Sequence, residues 1–283
     1  MIRPYYSILF LSVFAAGCRK GDNVPAYLEI PRIEVVNANG TPISSKITDA
    51  WVYADDDLLG VWEIPARIPV LSEGNTRIQI QAGVERNGMF DDRAAYPFYT
   101  WYEGTVDLAR TASTTLVPQV SYTANTDLWT EAFEEAGMQL QVTEESDTTF
   151  DRFNEPPFQF EGTAVGGFIL DQQRPYIRVY TDEDFSANGG PVFLELDYST
   201  NVVLTIGVLY TSNGVFTGSS YVYLVPTAGG DGSMPSWNKV YIDLSPVFNS
   251  NISQRDIYFE AWAPSGGTAR VFLDNIKLVR TTS

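Results

Sequence analysis

The 283-residue chain contains no histidine and a single cysteine, Cys18. Without histidine there is no Ser-His-Asp or Cys-His dyad and no His-ligated zinc, and one thiol cannot build a thiolate metal site. A lone cysteine also forms no intramolecular disulfide, so the fold must rest on ordinary core packing, which a chain of this length supplies in one or two domains. No G-x-x-x-x-G-K-[ST] run is present to cradle a nucleotide. Basic residues are scarce: 18 Lys and Arg stand against 35 Asp and Glu, a net charge of -17. A phosphate backbone is repelled by such a surface, and nucleic acid is excluded as a partner. No apolar run reaches the roughly 20 residues that a membrane-crossing helix needs. Two carboxylates could still build a glycosidase, but nothing in the sequence selects a pair among so many. The expectation is a non-enzymatic binding or scaffolding protein.

What the chain does have begins at its amino terminus. Arg3 precedes an apolar segment from about Tyr5 to Ala16, and small residues follow, which is the anatomy of a secretion signal over residues 1–17. The ending Ala15-Ala16-Gly17-Cys18 resembles the lipobox of bacterial lipoproteins. That resemblance implies cleavage before Cys18, acylation of its thiol and amine, and attachment to the outer membrane through lipid rather than through a spanning segment. Residues 18–26 then serve as a linker. Surface-displayed lipoproteins of the Bacteroidota usually carry an acidic cluster just after the cysteine, and Arg19-Lys20-Gly21-Asp22-Asn23 lacks it. The expected location is therefore the periplasmic face of the outer membrane.

Residues 27–123 alternate with period 2, most clearly where Ile78, Ile80 and Ala82 interleave with Arg77, Gln79 and Gln81. Strands are expected over Leu28–Val36, Ala50–Tyr53, Leu58–Ile64, Thr76–Val84, Pro97–Leu108 and Thr114–Tyr122. Asn39-Gly40 and Asn87-Gly88 supply the positive φ that tight hairpins require. This pattern predicts an immunoglobulin-like or transthyretin-like β-sandwich. Tyr96-Pro97-Phe98-Tyr99-Thr100-Trp101-Tyr102 would put aromatics on both faces of one strand, one side buried and the other, with Tyr99 and Trp101, turned to a partner.

Residues 124–157 form an acidic connecting segment that leads into the second domain. Trp129, Phe133 and Ala136 fall at i, i+4 and i+7, the spacing of a short helix over Leu128–Ala136. Asp147-Thr148-Thr149 resembles the short acceptor motif of Bacteroidota O-glycosylation, which would make Thr148 the modified residue. From 158 to 281 strands and glycine-rich turns alternate again. Phe133-Glu134, Leu194-Glu195-Leu196-Asp197-Tyr198, Trp237-Asn238-Lys239-Val240-Tyr241-Ile242-Asp243-Leu244 and the closing Val271-Phe272-Leu273-Asp274-Asn275-Ile276-Lys277-Leu278 resemble the jelly-roll domains of carbohydrate-binding modules. The likeness implies a jelly-roll β-sandwich following the first one. In that family a structural calcium is often held near the start and end of the fold, here Glu134 and Asp274, and it is the one cofactor implied.

Glycan binding needs exposed aromatic faces flanked by polar groups. The candidates are Trp237, Trp262, Tyr210, Tyr221 and Tyr223; Trp262 shares its strand parity with Glu260 rather than Phe259, which points it outward. Two functions are consistent with these features. One is a non-catalytic accessory or structural subunit of an outer-membrane assembly, docked on a β-barrel or on other lipoproteins. The other is a glycan-binding lipoprotein of a polysaccharide capture or uptake system. Both require the anchor: Cys18→Ala is expected to move the protein from membranes to the soluble fraction, and retention on membranes after a salt wash would refute lipidation.

Overall fold

The computed structural model describes residues 24–187, 189–227 and 236–282; Cys18, the leader and most of the linker lie outside the described residues. Ten strands make up the first half: β1 (Ala26–Ile30), β2 (Glu34–Val35), β3 (Asp49–Ala54), β4 (Asp57–Glu63), β5 (Ala66–Val70), β6 (Gly74–Glu85), β7 (Arg93–Ala95), β8 (Tyr102–Leu108), β9 (Ser113–Thr115) and β10 (Gln119–Val120). They pair in the orders β5-β1-β9, β10-β2 and β4-β3-β6-β7, with β8 also on β6. Alternation does what it promised in β6, where Thr76, Ile78, Ile80, Ala82 and Val84 are buried.

The second half carries β11 (Thr126–Glu131), β12 (Leu140–Val142), β13 (Asp151–Phe153), β14 (Val165–Leu170), β15 (Tyr176–Thr181), β16 (Val192–Thr200), β17 (Leu204–Ser212), β18 (Val215–Leu224), β19 (Asn238–Asp243), the single-turn α1 (Ser245–Phe248), β20 (Ser253–Trp262) and β21 (Ala269–Thr281). One sheet runs β13-β14-β21-β16-β19 with β11 added to β21, and the other runs β12-β15-β20-β17-β18. Their inner faces enclose Phe133, Phe168, Phe185, Phe248 and Phe259. At the β17–β18 hairpin both Asn213 (φ 51°) and Gly214 (φ 77°) are left-handed, the conformation a two-residue turn demands. The molecule is thus all-β, with a small N-terminal sandwich followed by a jelly roll. Among the described residues no helix is long and apolar enough to cross a membrane.

Three local expectations are corrected. The helix over Leu128–Ala136 does not form: β11 pairs antiparallel with β21, and Trp129, Glu131 and Phe133 are buried at period 2. The charge at Glu131 hides that period, but its carboxylate accepts the Phe133 and Gln139 amides at 2.7 and 2.6 Å, so the buried acid is satisfied. The strand expected over Pro97–Leu108 begins only at Tyr102. Tyr96, Phe98 and Tyr99 precede it in irregular backbone and are buried, so Tyr99 faces the protein interior and not a partner. The strand over Leu28–Val36 is divided after Ile30, where Pro31 removes a ladder donor, and its halves join different sheets.

The two halves share a core. Phe193, Tyr241 and Val279 of the jelly roll belong to the N-terminal hydrophobic cluster, and the Tyr96 ring packs 5.1 Å from Phe193 and 5.0 Å from Tyr241. At the centre lies Glu195, fully buried, accepting the Tyr96 hydroxyl at 2.6 Å and the Tyr122 hydroxyl at 2.9 Å. Lys239 places its ammonium 3.6 Å from both Glu195 and Asp197, and Asp197 accepts Ser44 at 2.7 Å. Burial, and next the Glu195 charge, push the Tyr96 and Tyr122 phenols well above their ordinary range, so both remain proton donors. Every residue of β16 is buried. Glu195→Ala leaves two phenols and an ammonium short of an acceptor and is expected to cost about 3 kcal/mol or more. Urea unfolding checks this, and a loss below about 1 kcal/mol would refute the central role of Glu195.

Candidate aromatic binding face

Because the N-terminal sandwich covers the outer face of the β16-containing sheet, the outer face of the other jelly-roll sheet is the one that remains. Its inward residues, among them Ile177, Val179, Ile206, Val208, Ile257 and Phe259, are buried in the core. The alternate residues therefore point out, and the strand register sets them in rows. Tyr176 lies opposite Trp262. The next row runs Arg178, Glu260, Thr205, Tyr223. The third runs Gln141, Tyr180, Tyr258, Gly207, Ser220.

Small and large residues interlock to keep this surface flat. Tyr258 is 2% exposed, and a Cβ at Gly207 would come within 2.4 Å of its ring, so the phenol lies across the glycine. Its hydroxyl sits 3.0 Å from the Ser220 hydroxyl, and the Arg178 guanidinium stands 4.9 Å over the ring. Glu260 accepts the Tyr176 hydroxyl at 2.9 Å and Arg178 Nε at 2.8 Å, with Arg178 Nη2 as a further donor to the same oxygen. Held in this way, Tyr176 backs Trp262: the ring centroids are 4.3 Å apart at 37°, and Trp262 is 59% exposed. Behind Tyr176 the 143–149 loop fastens to β15 through the Tyr176 amide to Asp147 Oδ2 at 3.1 Å and the Arg178 amide to Ser146 Oγ at 2.9 Å. The face offers an indole platform with a fixed arginine and carboxylate beside it, an arrangement that can stack on a sugar ring and bond its hydroxyls.

Of the aromatic candidates, Trp262 and Tyr223 are exposed and share this face. Tyr210 and Tyr221 do not: both pack against the core and line a cavity of about 250 Å³ with Pro246 and Val247, and the Tyr221 hydroxyl donates to the Asp243 carbonyl at 2.8 Å. Trp237 belongs to the other sheet's side, half-buried and stacked on Phe160 at 4.7 Å, its indole N–H without a partner. Trp101 is 43% exposed on the N-terminal sandwich. Thr148 is half-buried in the 143–149 loop. Tyr176, Arg178, Tyr258 and Glu260 were not singled out from sequence; the signal available was the alternation Tyr176-Ile177-Arg178-Val179-Tyr180, which marks the outward set.

Glu134 and Asp274 do not fit a shared calcium site. Glu134 accepts the Thr163 amide at 2.8 Å, the Thr163 hydroxyl at 2.6 Å and the Ala164 amide at 3.2 Å, so both its oxygens are committed and its pKa is lowered by these bonds. Buried Asp274 accepts the Asn275 amide at 2.8 Å and the Glu161 amide at 3.3 Å. The 161–164 loop thereby bonds both Glu134, just past β11, and Asp274, within β21. It depends on Gly162, which is left-handed (φ 67°) and where a Cβ would meet Glu134 Oε1 at 2.2 Å. Among the described residues no three or more acidic or thiol side chains gather as a metal-binding group.

No family model matches the chain, and no curated protein matches it. Solved structures do, at low identity. The K1 cleaved adhesin domain of Lys-gingipain from Porphyromonas gingivalis W83 aligns with TM-score 0.38 and 13% identity over 56% of this chain and 99% of its own. A non-crystalline cellulose-specific carbohydrate-binding module, CBM28, aligns with TM-score 0.37 and 15% identity over 54% and 93%. The C-terminal family 22 carbohydrate-binding module of Clostridium thermocellum Xyn10B aligns with TM-score 0.38 and 10% identity over 57% and 98%. These are similarities of fold over roughly half of the chain.

At the acidic end of the face, burial and then the charges of Asp184 and Asp182 push the Asp256 carboxyl up to about 7. An acid whose pKa rises on folding is protonated more readily in the native state. Its contribution to stability therefore falls as pH climbs from the unfolded value near 4 to about 7, and stays low above that. Asp256→Asn removes this dependence. Its melting temperature relative to wild type is expected to rise between pH 5 and pH 8; a constant difference would contradict the assignment.

Proposed function

We propose that the chain is a non-catalytic glycan-binding lipoprotein, held at the outer membrane by lipid on Cys18, that captures polysaccharide on the outer face of the β12-β15-β20-β17-β18 sheet. The observation that carries this is Trp262, exposed yet braced by Tyr176, which is itself fixed by Glu260 and Arg178. A rigid platform of this kind loses little entropy on binding. The net charge of -17 disfavours polyanionic glycans, so a neutral polysaccharide is the ligand class. The periplasmic orientation and O-glycosylation of Thr148 belong to the same proposal, on the sequence features given above.

A second reading is an accessory subunit that docks on a β-barrel or on other lipoproteins. It draws on the tip of the β17–β18 hairpin, where Val215 and Phe216 are 64% and 60% exposed. Affinity electrophoresis against amorphous cellulose, xylan and galactan separates the two. Trp262→Ala is expected to weaken retention by about tenfold or more, equivalent to ~1.4 kcal/mol. Absence of retardation of the wild type on all three would overturn glycan binding and leave the hairpin tip as the surface to test.

A further inference from the structure

We propose that the N-terminal sandwich carries a second, independent glycan-binding face on the sheet formed by β4, β3, β6 and β8. The inner side of this sheet already supplies the core with Ala50, Val52, Ile78, Ile80 and Ala82. The outer side is occupied by aromatics that the core does not use. Cross-strand register places Val61, Trp51 and Gln81 in one row and Leu58, Tyr53, Gln79 and Glu103 in the next. Trp101, one residue before β8, lays its indole on Tyr53 with centroids 5.3 Å apart at 32° and leaves 43% of itself exposed.

The surroundings of this pair select the ligand. Arg77 bridges Asp56 at 2.8 Å and Glu103 at 3.2 Å, and the Gln79 amide donates to Glu103 at 3.1 Å. One cation thus stands against two carboxylates beside the rings, which leaves the patch acidic and repels a polyanion. Stacked indole and phenol faces bordered by side-chain amides and a positioned carboxylate suit a neutral, extended oligosaccharide, whose apolar ring faces stack and whose hydroxyls both donate and accept. Trp51 is held in place: a Cβ at Gly83 would come within 3.3 Å of its indole nitrogen, so the side chain lies over the glycine. The ligand class rests on the glycan reading of the preceding subsection; the site does not.

Calorimetric titration of the detergent-solubilised full chain with cellohexaose, xylohexaose and β-1,4-galactotriose tests the proposal. Two sugars per chain are expected, with Trp101→Ala and Trp262→Ala each removing one and the double variant removing both. Trp101 is exposed, so its variant should keep the wild-type melting temperature, and Glu103→Ala, expected to weaken the same site at least threefold, provides a second perturbation. A stoichiometry of one that responds only to Trp262→Ala overturns the second face and leaves the first standing. A stoichiometry of one that responds only to Trp101→Ala sustains the second face and overturns the jelly-roll site. No heat with any of the three sugars overturns both, and a protein partner on the N-terminal sheet becomes the alternative.

Discussion

Glu195 sits where water does not reach, and much of the architecture follows from what it takes to keep a carboxylate there. Two phenols from the N-terminal sandwich and a lysine from the neighbouring jelly-roll strand converge on it. Removing any of them would leave a buried polar group unpaired, a penalty larger than the net gain from making the bond. The hydrophobic rim of Phe193, Tyr241 and Val279 closes the seam around this centre. The sandwiches are consequently joined through a shared core with a polar centre, in which the Lys239 ammonium has charge partners but no hydrogen bond, and through rim contacts such as the Asn87 amide to the Tyr241 carbonyl at 2.7 Å.

That seam has a functional consequence. A jelly roll presents two outer sheet faces, and here one of them is consumed by packing. The remaining face is built with the same economy as a core: Tyr258 fills the space that Gly207 leaves, Glu260 gathers Tyr176 and Arg178, and Trp262 rests on the result. Bracing by Tyr176 fixes the Trp262 rotamer during folding.

Much of this was legible in the chain. Period-2 alternation located most strands and Asn87-Gly88 marked the β6–β7 connection, but the β3–β4 hairpin turns on Asp55-Asp56, and parity put Trp262 on the outward side without deciding its exposure. Glu131 defeated the pattern because a buried acid looks polar in sequence and becomes acceptable only when two backbone amides reach it. Tyr99 was misplaced for a similar reason. Its surroundings read as a strand, yet the backbone there is irregular and the ring turns into the seam, where its hydroxyl lies 3.2 Å from that of Tyr241, a residue 142 positions away.

The sequence by itself determined the all-β class, the absence of thiol and histidine chemistry, the acidic surface and the candidate lipid address at Cys18, since composition and local periodicity act over a few residues. Only the tertiary structure decided which of the tryptophans are exposed. Trp237 and Trp262 are both aromatics next to a strand end, but one stacks under Phe160 and the other faces solvent. The distinction depends on which sheet face the N-terminal sandwich buries. That in turn is set by contacts between residues from 73 to 195 positions apart, and local pattern carries no information about them.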